Sequence, residues 1–301
     1  MKRRSFILEF EPDLASTLAP LRLGRYDPTT TIGLGGVWRA SRTPDGPATV
    51  HLHVRSEQRC TVDASAWGPG AEWVLDNAPG WVGALDDTTD FTPSGHPVLE
   101  RAARERPGYR VLRTERVLEI LVPTILSQKV TTLEATRSWS ALVRRAAEPA
   151  PGPAGLLLPP DPAWLARLPD HAFHLANVER RRASTIRAAA RHAPRLEEGA
   201  GLGRDVLRAR LGAIAGIGPW TIAEVMFVAI GDADALSVGD YHLPNTVSWA
   251  LAREPRGNDA RMLELLAPFF PHRGRAARLL EASGRAPRFG PRLAPRTIAH
   301  L

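Results

Sequence analysis

The spacing of apolar residues divides the chain in two. Up to about residue 95 the pattern is short and two-fold. Ser5 to Phe10 alternates apolar and polar residues. In Val50 to Val54, Val50, Leu52 and Val54 face one way, and His51, His53 and Arg55 the other. Pro44-Asp45-Gly46 is a turn signal between that strand and Val37-Trp38-Arg39-Ala40, since Pro presets φ and Gly accepts positive φ. Arg59 to Ala64 reads as a further strand and Ala71 to Asn77 as a short helix. The pattern predicts an antiparallel sheet with a helix or two on one face.

After a transition from Thr89 to Tyr109, rich in Pro, Gly and charge, the period becomes helical from Val111. Val117, Leu118, Leu121, Val122, Ile125 and Leu126 form one apolar run, and Val130, Leu133, Trp139, Leu142 and Val143 the next. Pro123 predicts either a bent helix or a boundary near Leu121, because proline lacks the N–H and crowds the preceding turn. Glu148 to Trp164 is dense in Pro and Gly and reads as a surface excursion. Helices are expected at about 161–168, 177–192, 204–215, 219–230, from Pro244 onward, 258–270 and 274–283. The expected fold is α+β. An antiparallel sheet domain (1–100) precedes an all-helical domain (101–284) and a basic Pro/Arg-rich tail (285–301). The tail's Arg285, Arg288, Arg292 and Arg296 either lie along the body or touch phosphates.

The chain is organised around Leu211 to Asp240. Gly216-Ile217-Gly218-Pro219-Trp220-Thr221 separates two apolar helical patterns, so the glycines predict a tight hairpin and Pro219 the first position of the second helix. Hairpin amides at a helix N-terminus make an anion site. Asp240 follows in a loop of small and acidic residues.

The net charge of +7 favours a polyanionic partner, although the excess of Arg over Lys also fits an arginine-rich proteome. Cys60 is the sole cysteine, which excludes an intramolecular disulfide and a cysteine-ligated iron–sulfur cluster or zinc site. His51 and His53 share a strand face without a third ligand and read as solvated. No stretch approaches the roughly 20 apolar residues of a membrane span. Glu9, Glu11 and Asp13 interrupt the apolar N-terminal run before it reaches signal-peptide length, so a cytoplasmic, nucleoid-associated location is expected. Gly199-Ala200-Gly201-Leu202-Gly203 follows charged residues rather than a buried strand, which argues against a dinucleotide site.

Leu211-x-x-Ile214-x-Gly216-Ile217-Gly218-Pro219-Trp220-Thr221 with Asp240 downstream resembles the helix-hairpin-helix (HhH-GPD) DNA glycosylase superfamily, closest to its bacterial 3-methyladenine DNA glycosylase II branch. Ile125-Leu126-Ser127-Gln128, Arg182-Ala183 through Ala188, and Phe270-Pro271-His272-Arg273 extend the likeness over about 110–284. The resemblance implies a monofunctional glycosylase of base excision repair that flips alkylated purines out of double-stranded DNA and hydrolyses their glycosidic bond, working as a monomer. A non-catalytic DNA-binding or damage-sensing protein, or a glycosylase for oxidised, deaminated or bulky lesions, is the alternative.

By the same resemblance Asp240 is the catalytic carboxylate, Trp220 stacks on the extruded base, and the amides of Gly216, Ile217 and Gly218 hold a phosphate. Gln128 and Lys129 sit at the wedge that fills the gap. The carbonyls of Gly212, Ile214 and Ile217 are the sites for a structural Na+ or K+, with no other cofactor. Bifunctional members carry a lysine where this chain has Trp220, which implies no lyase chemistry. The residues themselves leave alternatives open. Asp240 also suits a helix cap before Pro244, and Trp220 suits core packing. Glu224 lies one turn after Trp220 and either meets a base or pairs with an arginine. Tyr241 lines the base pocket or packs against the hairpin.

Overall fold

The computed structural model describes all residues except 57–58, 94, 284–286, 288, 291–292 and 299–301. The N-terminal part is built from β1 (Lys2–Leu8), α1 (Leu14–Leu18), β2 (Thr30–Gly33), β3 (Gly36–Thr43), β4 (Gly46–Ser56), β5 (Cys60–Trp67) and α2 (Ala71–Trp81). The strands form one antiparallel sheet in the order β1-β5-β4-β3-β2. Register pairs Val50 with Ala66, Leu52 with Ala64 and Val54 with Val62. The two-residue pleat therefore puts the alternating apolar set on one face, where Val50, Leu52, Val62, Ala64 and Ala66 are buried. α2 packs on that face. The expected turn at Pro44 to Gly46 joins β3 to β4, with Gly46 at φ 114°. α1 and β2 are short, and no periodicity announced them.

The helical part follows: α3 (Pro97–Glu105), α4 (Val117–Leu126), α5 (Thr132–Ala146), α6 (Pro162–Arg167), α7 (Asp170–Leu175), α8 (Arg180–Arg191), α9 (Ala193–Gly201), α10 (Arg204–Gly212), α11 (Pro219–Ala229), α12 (Leu243–Ala252), α13 (Asp259–Leu266) and α14 (Arg273–Ala282). α4 runs unbroken through Pro123, so no boundary falls at Leu121. Pro123 leaves the Glu119 carbonyl without its helical donor, and the Thr124 hydroxyl bonds the next carbonyl, that of Ile120, at 2.7 Å.

Two expectations need correction. The 89–109 transition contains α3, which packs against α12 and α14, so residue 100 lies inside a helix of the helical part rather than at its start. The 177–192 helix begins at Arg180, because Asn177 takes a left-handed conformation (φ 60°) between α7 and α8. The charged stretch around Glu197 is helical. Glu197 accepts from the amides of Val117 and Leu118, both at 2.9 Å, and so caps the exposed donors of α4.

The sheet and helices α4–α11 share one continuous core, with a second core among α3, α12, α13 and α14. The Pro-rich excursion is folded against the outer side of the sheet, where Leu156 and Leu158 bury Ala40. Between sheet and helices lies a sealed polar cluster. Glu119 of α4 accepts from the Arg39 guanidinium (3.0 Å), the Ser41 hydroxyl (2.9 Å) and the Arg42 amide (2.6 Å). Of the tail, Arg285, Arg288 and Arg292 lie outside the described residues. Arg296 and Ile298 lie along the body, their backbone bonded to the Asn177 side chain at 3.1 and 2.7 Å.

Candidate active site

α11 explains the centre of the molecule. Its sequence is apolar nearly all round, and Thr221, Ala223, Val225, Met226, Phe227, Val228 and Ala229 are all buried between α4 and α10. The hairpin entering it is pinned by Leu211, Ile214 and Ile217, which point into the core. Gly216 has φ 92°, and a Cβ there would lie 2.2 Å from the Thr185 hydroxyl of α8. That position needs glycine on both counts. Gly218 does not: it is extended (φ −108°, ψ −177°), serves as N-cap, and has open space around it. The expectation that both glycines supply positive φ is thus corrected. Pro219 takes the first helical position as expected.

Of the three hairpin amides, that of Ile217 donates to the Ile214 carbonyl at 3.1 Å and is spent internally. Those of Gly216 and Gly218 have no acceptor among the described residues. Gln128, at the end of α4, donates its side-chain amide to the Gly216 carbonyl (3.0 Å) and to the Thr221 hydroxyl (2.9 Å). It is a brace for the hairpin. Lys129 beside it is exposed in a left-handed turn (φ 54°).

Asp240 caps a helix, one of the two uses its sequence position suits. Its Oδ1 accepts from the amides of His242 (2.7 Å) and Leu243 (2.8 Å), satisfying donors at the start of α12. Its Oδ2 accepts from the Trp220 indole N–H at 3.0 Å. Asp240 is half-buried and forms no ion pair with a described residue. The loop carrying it is anchored by two buried aspartates. Burial raises the pKa of Asp232 against the pull of Arg204, 2.6 Å away. For Asp234 burial pushes upward too, but the Arg273 guanidinium and amide outweigh it and hold the carboxyl below its ordinary value.

Trp220 and Glu224 line a cavity of about 250 Å³, with Pro123 of α4 opposite and Leu21 from the segment after α1. Its deep end reaches Arg39, Glu119 and Trp139. Ligand pockets commonly run from roughly 300 Å³ upward, so this one suits a single flat ring system. Glu224 is paired: its Oε1 accepts from the Arg278 guanidinium at 2.5 Å and from the Ser237 hydroxyl. Arg278, on α14, was not singled out from the sequence, because nothing local marks one arginine among many. Tyr241 does not line the cavity; it is 69% exposed, edge-on to His242. Among the described residues no cluster of three His, Cys, Asp or Glu side chains is arranged for a metal ion; His51 stacks on His53 and Trp38 and its Nε2 meets the Gly35 carbonyl at 2.7 Å. No helix is long and apolar enough to cross a membrane.

No protein-family model matches the chain. It is 31% identical over 149 residues to a protein of Mycobacterium tuberculosis described as a probable bifunctional transcriptional activator/DNA repair enzyme AlkA. That match covers 49% of this chain and 30% of the relative, so the chain spans less than a third of its length. Among solved structures, 3-methyladenine DNA-glycosylase from Archaeoglobus fulgidus superposes with a TM-score of 0.78 at 18% identity, covering 95% of this chain and 99% of that one. An 8-oxoguanine glycosylase/lyase of Clostridium acetobutylicum, bound to double-stranded DNA, gives 0.65 at 16% identity, covering 91% and 92%. The chain carries the helix-hairpin-helix DNA glycosylase fold, and its resemblance to that superfamily holds in sequence and architecture alike.

Proposed function

We propose that the protein is a monofunctional DNA glycosylase of base excision repair. It extrudes a damaged base from duplex DNA and hydrolyses the N-glycosidic bond, with alkylated purines of the 3-methyladenine and 7-methylguanine type as substrates. The observation that carries this reading is the Asp240 carboxylate. It has no ion-pair partner among the described residues, and it is bonded to the indole that walls a cavity of base size. Breaking a glycosidic bond builds positive charge on the sugar, and a fixed anion stabilises that state and orients water. An alkylated purine is already cationic and leaves without a general acid, so one carboxylate suffices.

The free amides of Gly216 and Gly218 sit where the hairpin meets α11 and suit a backbone phosphate. Trp220 stands where a lyase needs an amine, which supports hydrolysis without strand cleavage. Extrusion costs a few kcal/mol of unstacking. Lys129, exposed beside the braced Gln128, is placed to fill the gap or meet a phosphate. The carbonyls of Gly212, Ile214 and Ile217 are the proposed ligands for a structural Na+ or K+.

A base-release assay on alkylated duplex DNA tests the reading: wild type frees 3-methyladenine or 7-methylguanine and Asp240→Asn does not. Equal release by both proteins removes Asp240 from the mechanism. One observation favours a second reading within the same activity. Arg278 offsets the charge of Glu224, so that side chain adds little attraction for a cation and instead presents a polar edge, as an oxidised or deaminated base requires. Release from a mixed-lesion duplex distinguishes the two.

A further inference from the structure

We propose that Trp220 is the positioning residue of Asp240, acting through its indole N–H as well as presenting a ring to the base. This rests on the reading of Asp240 as the catalytic carboxylate. Asp240 needs such a residue because its backbone is fixed but its side-chain torsions are not: the Gly239 amide donates to Asp259 at 3.1 Å and the Asp240 amide to the Ser237 carbonyl at 3.2 Å, neither bond touches the carboxylate, and Tyr241 after it is exposed. An aspartate's terminal torsion is broad and two-fold, so a single tethered oxygen leaves the other free to swing. The amides of His242 and Leu243 hold Oδ1, and among the described residues only the Trp220 indole holds Oδ2, at 3.0 Å.

The donor is well chosen in two respects. Indole N–H only donates, so the direction of the bond is unambiguous. It is also neutral, so it fixes the carboxylate without cancelling the charge that the sugar cation requires; an arginine in its place would cancel it. Trp220 is itself immobilised, one residue after Pro219 at the start of the buried helix α11. The carboxylate is therefore strung between the N-termini of α11 and α12, and the ring that lines the cavity sets where it stands. A tryptophan that only packed or only stacked would do its work with any ring of the same shape.

The test replaces Trp220 with β-(3-benzothienyl)alanine, an isostere in which sulfur stands where the N–H was. Single-turnover base release from alkylated duplex is expected to fall about 10- to 100-fold, the range of one hydrogen bond to a charged group. Affinity for an abasic-site duplex stays within about twofold, since the ring shape is kept. Trp220→Phe is expected to fall at least as far. Release by the isostere at the wild-type rate overturns the proposal. Absence of release by wild type is a failure of the glycosylase reading instead, and the positioning contact is then read directly. The Trp220 Nε1–H nuclear magnetic resonance signal is expected to move upfield in Asp240→Asn, and an unmoved signal overturns the proposal as well.

Discussion

Glu119 and Asp240 each accept at least three hydrogen bonds, from donors of different kinds. Glu119 lies between sheet and helices, buried with Arg39 as its counter-ion, with Ser41 and the Arg42 amide completing its shell. Asp240 stands half-exposed at the cleft and takes its bonds from two amides and an indole, all neutral donors. Glu119 has its charge balanced on the spot, so it can only hold things together. Asp240 accepts as many bonds without an ion-pair partner among the described residues, which is what the proposed role against a sugar cation asks of it.

Breaking the sealed site should have the largest effect on folding. Glu119→Ala strands the buried Arg39, and a loss of about 3–5 kcal/mol is expected in chemical denaturation. At the open site the effects reverse. Asp240→Asn should lower the single-turnover rate by roughly 100- to 1,000-fold, as for removal of one preorganised electrostatic group, and leave the denaturation midpoint nearly in place.

The hairpin glycines sharpen the same distinction on a smaller scale. Gly216→Ala forces a left-handed alanine against Thr185 and should cost at least about 1–2 kcal/mol of stability. Gly218→Ala meets neither strain nor a neighbour. Its stability should stay within about 0.5 kcal/mol, and affinity for an abasic duplex should fall roughly two- to tenfold through a weakened amide–phosphate bond. Unchanged affinity would remove the Gly218 amide from the phosphate site.

The smallest effect expected is on pH dependence. Burial, aided by Arg275, holds the pKa of His272 below its ordinary value. The unfolded chain therefore takes up a proton near pH 6.5 that the folded one refuses. Stability is full above that pH and declines as pH falls through it toward the folded value. Melting temperatures at pH 7.5 and 5.5 should show this drop in wild type and a smaller one in His272→Gln.

Much of this was legible in the chain. Alternation in Val50 to Val54 placed a strand and its buried face, and the all-apolar run after Pro219 marked a central helix. The order Gly216, Gly218, Trp220, Asp240 pointed to the candidate site. Other features were hidden for identifiable reasons. α1, β2 and α7 are too short to complete a period, and no local pattern marks Glu197 as a cap because its partners are amides about 80 residues earlier. Gln128 read as a wedge because nothing near it in sequence shows the hairpin carbonyl it binds.

The sequence by itself determined the two-part α+β order, the hairpin, and which residue types gather around it, because these follow from local periodicity and from the backbone freedom of glycine and proline. Only the tertiary structure decided what each polar group faces. It gave Glu224 to Arg278, spent the Ile217 amide on Ile214, and joined Trp220 to Asp240. Those pairings depend on the packing of distant helices, and a hydrogen bond formed across that distance leaves no mark on the pattern of the chain.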